Sequence, residues 1–198
     1  IWDILKAEGK TMAALNAGLF AGRFSDRLSR EIIVIRRDLA DSVVRKYCLA
    51  KGVAVALNPI PVADILAAVA TDAAMIIHLS RVYGLPITRG EAGSLLKTIS
   101  IQLAFLMGTV WAMNLVAAAL KGVSLGLSTL VTAGAQGAVA WYGTYVVGKA
   151  AEQYFVQGKS WGEGGPKRVV QEILDSLDRE SLLAQARDDI LARLKPLL

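Results

Sequence analysis

Cysteine occurs once in the 198 residues, at Cys48, and histidine once, at His78. A single cysteine excludes an intrachain disulfide and fits a reducing compartment. One imidazole excludes a His-rich metal or catalytic site. Proline is scarce too: five prolines against eighteen glycines suit closely packed helices better than a disordered tail. Strand signals are missing, since β-branched runs such as 32–35 lie inside helical periodicity. No basic run is interleaved with aromatics, so nucleic acid is not an expected partner. Gly-x-Ser-x-Gly is absent. Gly158-Lys159-Ser160 resembles the tail of a phosphate-binding loop, but the first glycine such a loop requires falls on Gln153, and a helix precedes it. No catalytic site is legible, and no metal or cofactor is assigned.

Charge is rarest between Thr98 and Gly148, where Lys121 is the single formal charge. Thr98–Leu120 supplies twenty-three uncharged residues and Gly122–Gly148 twenty-seven. A helix crosses a bilayer with about 20 mostly apolar residues, so each arm is long enough. Lys121-Gly122 reads as a tight turn between them. With 54% hydrophobic residues and a mean hydropathy of +0.45, the expected fold is all-α. It is a helical bundle around a central hydrophobic hairpin, 98–148, either membrane-embedded or membrane-associated.

Gly122, Gly126 and Gly134 are the small residues that let helices approach closely in a bilayer. Trp141, Tyr142 and Tyr145 precede Lys149 by one to two turns, the depth of an aromatic belt. Arg81, Arg89, Lys97, Lys149 and Lys159 would lie on that side, against Lys121 at the turn. By the positive-inside rule both hairpin ends face the cytoplasm or stroma. Trp111 fits poorly, because it would sit near the bilayer centre. Gln102, Asn114 and Gln136 suit helix–helix contacts better than lipid. The competing reading is a soluble bundle with the hairpin as its central pair.

The rest of the chain reads as amphipathic helices. The net charge of +5 is concentrated in residues 1–97, with thirteen Lys/Arg against nine Asp/Glu. That modest bias suits an anionic membrane surface. Periodicity predicts a helix over Trp2–Phe24, an N-cap at Ser25-Asp26, and a second helix to Lys51. Asp26–Arg30 and Asp41–Arg45 stand at helical ion-pair spacing. Asn58-Pro59-Ile60-Pro61 is a structural turn, since proline removes a backbone donor and restricts its predecessor. Pro61 suits the first turn of a helix to Tyr83, with Asp64 favoured by the helix dipole.

Asp72 lies two turns beyond Asp64 on nearly the same face. The two acids form either a proton or cation site or, more commonly, groups that face water or pair with arginine. Gly84 is a C-cap, and Thr88 with Glu91 has capping-box spacing. The expected organisation is a helical domain over 1–157, a flexible Gly-rich linker over 158–165, and a C-terminal amphipathic helical hairpin over 166–198.

The run from Ala56-Leu57-Asn58-Pro59-Ile60-Pro61-Val62-Ala63-Asp64 to Arg81-Val82-Tyr83-Gly84-Leu85 resembles a known family. It is similar to the domain of unknown function 697, the YcjF-like helical region, over roughly 40–155. The resemblance implies a membrane-associated region that often follows an Era-like or dynamin-like GTPase domain in cyanobacteria and plastids. It therefore implies the C-terminal part of a GTP-binding protein, and the start at Ile1 rather than Met is expected of a piece of a longer chain. GTP and Mg would belong only to such an upstream domain. The implied partners are membrane lipids, other membrane or peripheral proteins, and further copies or subunits of a complex. The implied location is a bacterial inner or thylakoid membrane. The alternatives are a soluble all-helical adaptor, or an accessory or assembly subunit of a membrane complex, photosynthetic or otherwise.

Overall fold

The computed structural model describes residues 2–57, 61–122 and 129–194, with the side chains of 4–7, 10, 26, 28–30, 61–66, 109–122 and 129–132 outside that description. The elements are α1 (Trp2–Leu57), α2 (Pro61–Val82), α3 (Arg89–Gly122), α4 (Thr129–Val156), α5 (Gly165–Ser176) and α6 (Arg179–Leu194). The fold is all-α, and no strand occurs among the described residues. The chain divides into two compact units, 1–39 and 40–198. No helix among the described residues is long and apolar enough to cross a membrane.

The expected break at Ser25-Asp26 does not occur: α1 runs unbroken through both. Ser and Asp are good N-caps only where the chain leaves the helix. Inside one they cost a few tenths of a kcal/mol, and neighbouring helix formers override that. In the first unit, Met12, Leu15, Leu19, Phe20 and Phe24 are all exposed. Phe20 and Phe24 stack one turn apart with centroids 6.5 Å apart. The expected turn at Lys121-Gly122 is also corrected, because α3 includes both residues.

Local signals set most of the other boundaries. Pro61 opens α2 where its missing donor costs nothing. Gly84, at φ 70°, closes α2: its N–H donates to the Arg81 carbonyl at 3.0 Å, and Leu85 N–H donates to the Ser80 carbonyl at 2.8 Å. The capping box forms, with Thr88 N–H donating to Glu91 Oε2 at 2.7 Å and Glu91 N–H donating to Thr88 Oγ1 at 3.2 Å. The Thr88 N–H and hydroxyl, both donating to Glu91 Oε2, hold that carboxyl below the usual carboxylate range. Asn58 and Pro59 lie outside the described residues, as does the Asp64 side chain.

In the second unit α4 is the central element, packed by α6, α2, α5 and α3. The core joins Val44 and Cys48 of α1, Met75 and Leu79 of α2, Ile99 of α3, and Tyr142 and Val146 of α4. The amphipathic faces of α5 and α6 close it with Val170, Ala186, Ile190 and Leu194. The stretch 158–165 makes several contacts with the helices beside it. Lys159 N–H donates to the Tyr154 carbonyl at 3.0 Å, Lys159 Nζ to the Pro86 carbonyl at 3.1 Å, and Trp161 lies 4.9 Å from the Tyr154 ring.

Candidate functional site: buried charges at the root of the hairpin

Five charged side chains form two clusters where the C-terminal part of α1 meets α2 and α4. Asp72 is 7% exposed, on a helix that is otherwise mostly apolar. Its Oδ2 accepts from Lys51 Nζ at 2.6 Å, and its Oδ1 accepts from the buried Thr144 hydroxyl at 3.0 Å. Of the alternatives for this acid, solvent facing is excluded; its partner is a lysine rather than an arginine. Cys48 is fully buried, and burial, followed by the Asp72 charge, pushes its thiol well above the ordinary range.

A second cluster stands on Lys149, just past the apolar stretch. Its ammonium donates to Asp41 Oδ1 and to Glu152 Oε2, the latter at 2.9 Å. The Tyr83 hydroxyl donates to Glu152 Oε1 at 2.9 Å. Burial alone would lower the Lys149 pKa, but the hydrogen bonds and charges of Asp41 and Glu152 reverse this and raise it. The expected Asp41–Arg45 pair does not form, since Asp41 reaches across to α4. Burying charge costs several kcal/mol per ion unless each is paired and hydrogen-bonded. Here each is, so the chemistry favours a clamp between helices over acid–base catalysis. Among the described residues, no group of three or more His, Cys, Asp or Glu is placed to hold a metal.

Close helix contacts surround the clamp. A Cβ on Gly137 would lie 2.5 Å from the Gly52 carbonyl oxygen and 3.2 Å from Ala56 Cβ. One on Gly148 would lie 2.8 Å from both Val44 methyls. Gly134 is buried as well, facing Leu191 of α6 at 3.1 Å rather than another hairpin arm. Gly122 ends α3, and Gly126 lies outside the described residues. Trp141 and Tyr142 are buried in the core at 6% and 2% exposure. Tyr145 is half-buried, stacked on Trp141 at 5.1 Å with Lys149 Nζ 6.0 Å over its ring.

Sequence reasoning reached Asp72 but missed its companions Lys51 and Thr144, and it missed Asp41, Glu152 and Tyr83 as the cluster around Lys149. The legible signal was charge inside apolar helical stretches: Lys51 after Cys48-Leu49-Ala50, and Lys149 with Glu152 three residues on. Which acid met which base was not legible, because the partners are 21 to 108 residues apart in the chain.

Beyond the clamp α3 presents large apolar side chains to the surface. Among the described side chains of α3, Ile99 is buried and Leu103, Leu106 and Met107 pack partly on the core, while Ile101 and Phe105 are 52% and 72% exposed. Lys167 of α5 stands over the Phe105 ring at 5.3 Å. An apolar notch of about 330 Å³, lined by Ser100, Leu103, Ala104, Met107, Gly108 and Gly143, opens between α3 and α4.

Fold and site together define an all-α helical module whose hairpin root is locked by buried ion pairs. The chain belongs to the family of the domain of unknown function 697, whose model matches residues 19–179. No curated protein matches it, and no solved structure does.

Proposed function

We propose that the chain is a membrane-anchoring and protein-interaction module in which the hairpin 98–148 meets the bilayer. The observation that carries this reading is the exposure of two large apolar side chains one turn apart on α3, Ile101 and Phe105, at the start of the long uncharged stretch. Exposed apolar side chains clustered on one helix face suit a membrane or partner site. Arg81, Arg89 and Lys97, exposed on the opposite side of the hairpin root, suit the cytoplasmic or stromal face of a bacterial inner or thylakoid membrane. Lys149, by contrast, is neutralised by Asp41 and Glu152 and contributes little to that face.

The family resemblance supports a further part of the proposal, that the module serves a GTP-binding domain on its N-terminal side. Other copies of the chain, or subunits of a membrane complex, are the protein partners such a module would hold.

Flotation of the full chain with vesicles of phosphatidylcholine and phosphatidylglycerol tests the anchoring. The wild type is expected to float and to resist alkaline carbonate, and Ile101→Glu/Phe105→Glu to remain at the bottom. Complete release by carbonate without detergent would sink the proposal. A second reading, a soluble helical adaptor, is favoured by one observation: no described helix is long and apolar enough to cross a membrane. A monodisperse detergent-free sample that ignores vesicles would decide for it.

A further inference from the structure

A groove of about 530 Å³ runs between α1, α2 and the start of α3, lined by Tyr47, Ala70, Ala73, Ala74, Ile77, His78, Arg81 and Arg89. Its floor is alanine and isoleucine. Its polar groups are one phenol, one imidazole and two guanidinium groups, with no carboxylate among the described lining residues. Among the described residues neither Arg81 nor Arg89 has an ion-pair partner, although Asp72, Glu152 and Asp41 elsewhere in this unit all do. The nearest acid in sequence, Glu91, lines a different groove together with Lys159 and is engaged by Thr88. Two unpaired arginines beside an apolar floor form the complement of a planar or tetrahedral oxyanion carried on an apolar body.

We infer that this groove binds a small organic phosphate, with Arg81 and Arg89 holding the phosphate and the alanine floor of α2 holding the organic part. Arginine presents a rigid fork of donors that matches phosphate oxygens. His78 adds a further donor, and its ring, edge-on to Tyr47 at 6.2 Å, shapes one wall. Arg89 opens α3, which places its guanidinium beside the C-terminal turn of α2.

The same phosphate chemistry is offered by a phospholipid headgroup. Arg89 and Phe105 stand sixteen residues apart on one helix, about 24 Å along its axis. If the exposed apolar surface at Phe105 meets acyl chains, Arg89 stands beyond the headgroup layer, which favours a soluble phosphate. The inference does not depend on membrane anchoring, because the groove and its charges lie in the unit formed by residues 40–198 whatever the hairpin does.

The test is calorimetric titration of the full chain with phenyl phosphate and with inorganic phosphate, run beside vesicle flotation. Phenyl phosphate is expected to bind at one site, more tightly than inorganic phosphate. Arg81→Ala/Arg89→Ala should weaken it by roughly tenfold or more, with flotation unchanged. Both side chains are exposed, so the variant should fold. Ala74→Trp, which fills the floor without touching charge, should also block phenyl phosphate. No heat with phenyl phosphate at millimolar concentration overturns the inference, as does binding that survives both variants. Flotation lost in the arginine variant, with no phenyl phosphate binding in the wild type, would overturn it in favour of a lipid headgroup. Loss of flotation in Ile101→Glu/Phe105→Glu with phenyl phosphate binding intact would leave the groove standing on its own.

Discussion

Lys51 Nζ and Asp72 Oδ2 lie 2.6 Å apart, their side chains 13% and 10% exposed, on α1 and α2. The pair sets where α2 rests against α1. Because Thr144 fills the second carboxylate oxygen, α4 is drawn to the same point. Removing one charge leaves the other buried alone, which costs more than the pair contributes.

Asp72→Ala is therefore expected to destabilise the protein by about 3 kcal/mol. Asp72→Ala/Lys51→Met should recover much of the loss, since the orphaned ammonium is gone. Chemical denaturation of the two single variants and the double variant measures the coupling. Strict additivity would contradict a direct pair.

Lys149 makes a prediction about alkaline pH. Its pKa is raised in the folded protein above the ordinary 10.5, so the stability it contributes is fully present below 10.5 and is lost as pH climbs through the folded value. Unfolding free energies should stay level in this respect up to about pH 10 and then fall. Lys149→Met should remove that alkaline fall while lowering stability at neutral pH, because Asp41 and Glu152 are left facing each other. A wild type and variant with parallel alkaline profiles would contradict the clamp.

Two glycines of α4 should respond in opposite ways to the same methyl group. A Cβ on Gly137 would press on the Gly52 carbonyl, a backbone atom that cannot rotate away, whereas one on Gly143 meets nothing within 4 Å. Gly137→Ala is expected to cost about 1–3 kcal/mol from overpacking. Gly143→Ala should be neutral or stabilising by about 0.5–1 kcal/mol through helix propensity. Thermal melts of both variants check the contrast.

Cys48 should be inert until the protein opens. Burial and the neighbouring Asp72 carboxylate both disfavour its thiolate, the reactive form. A maleimide is expected to label it slowly in native protein and rapidly in denaturant. Asp72→Ala should speed native labelling by loosening the α1–α2 seam.

Much of this architecture is legible in the residues taken in order. The all-α class follows from 3.6-residue periodicity without alternation. The edges of α2, α3, α5 and α6 follow from Pro61, Gly84, the Thr88–Glu91 box and the glycines near Pro166, because caps and breakers act over a few neighbouring residues. The same local logic failed at Ser25-Asp26, where a capping preference could not by itself end a helix. At Lys121-Gly122 the two residues still belong to α3, which ends at Gly122.

What folding alone decided is who meets whom. Asp72 could be seen as an acid on an apolar helix, yet its lysine comes from α1 and its threonine from α4. Lys149 looked like a flanking cation for a membrane and is held by two carboxylates instead. The aromatics before it looked like an interfacial belt, while Trp141 and Tyr142 are core residues. Periodicity tells a helix which face is apolar, but not whether lipid, another helix or a buried charge will stand against it. That choice is made by long-range packing, where burial makes an unpaired charge too costly and the pairing of distant residues becomes obligatory.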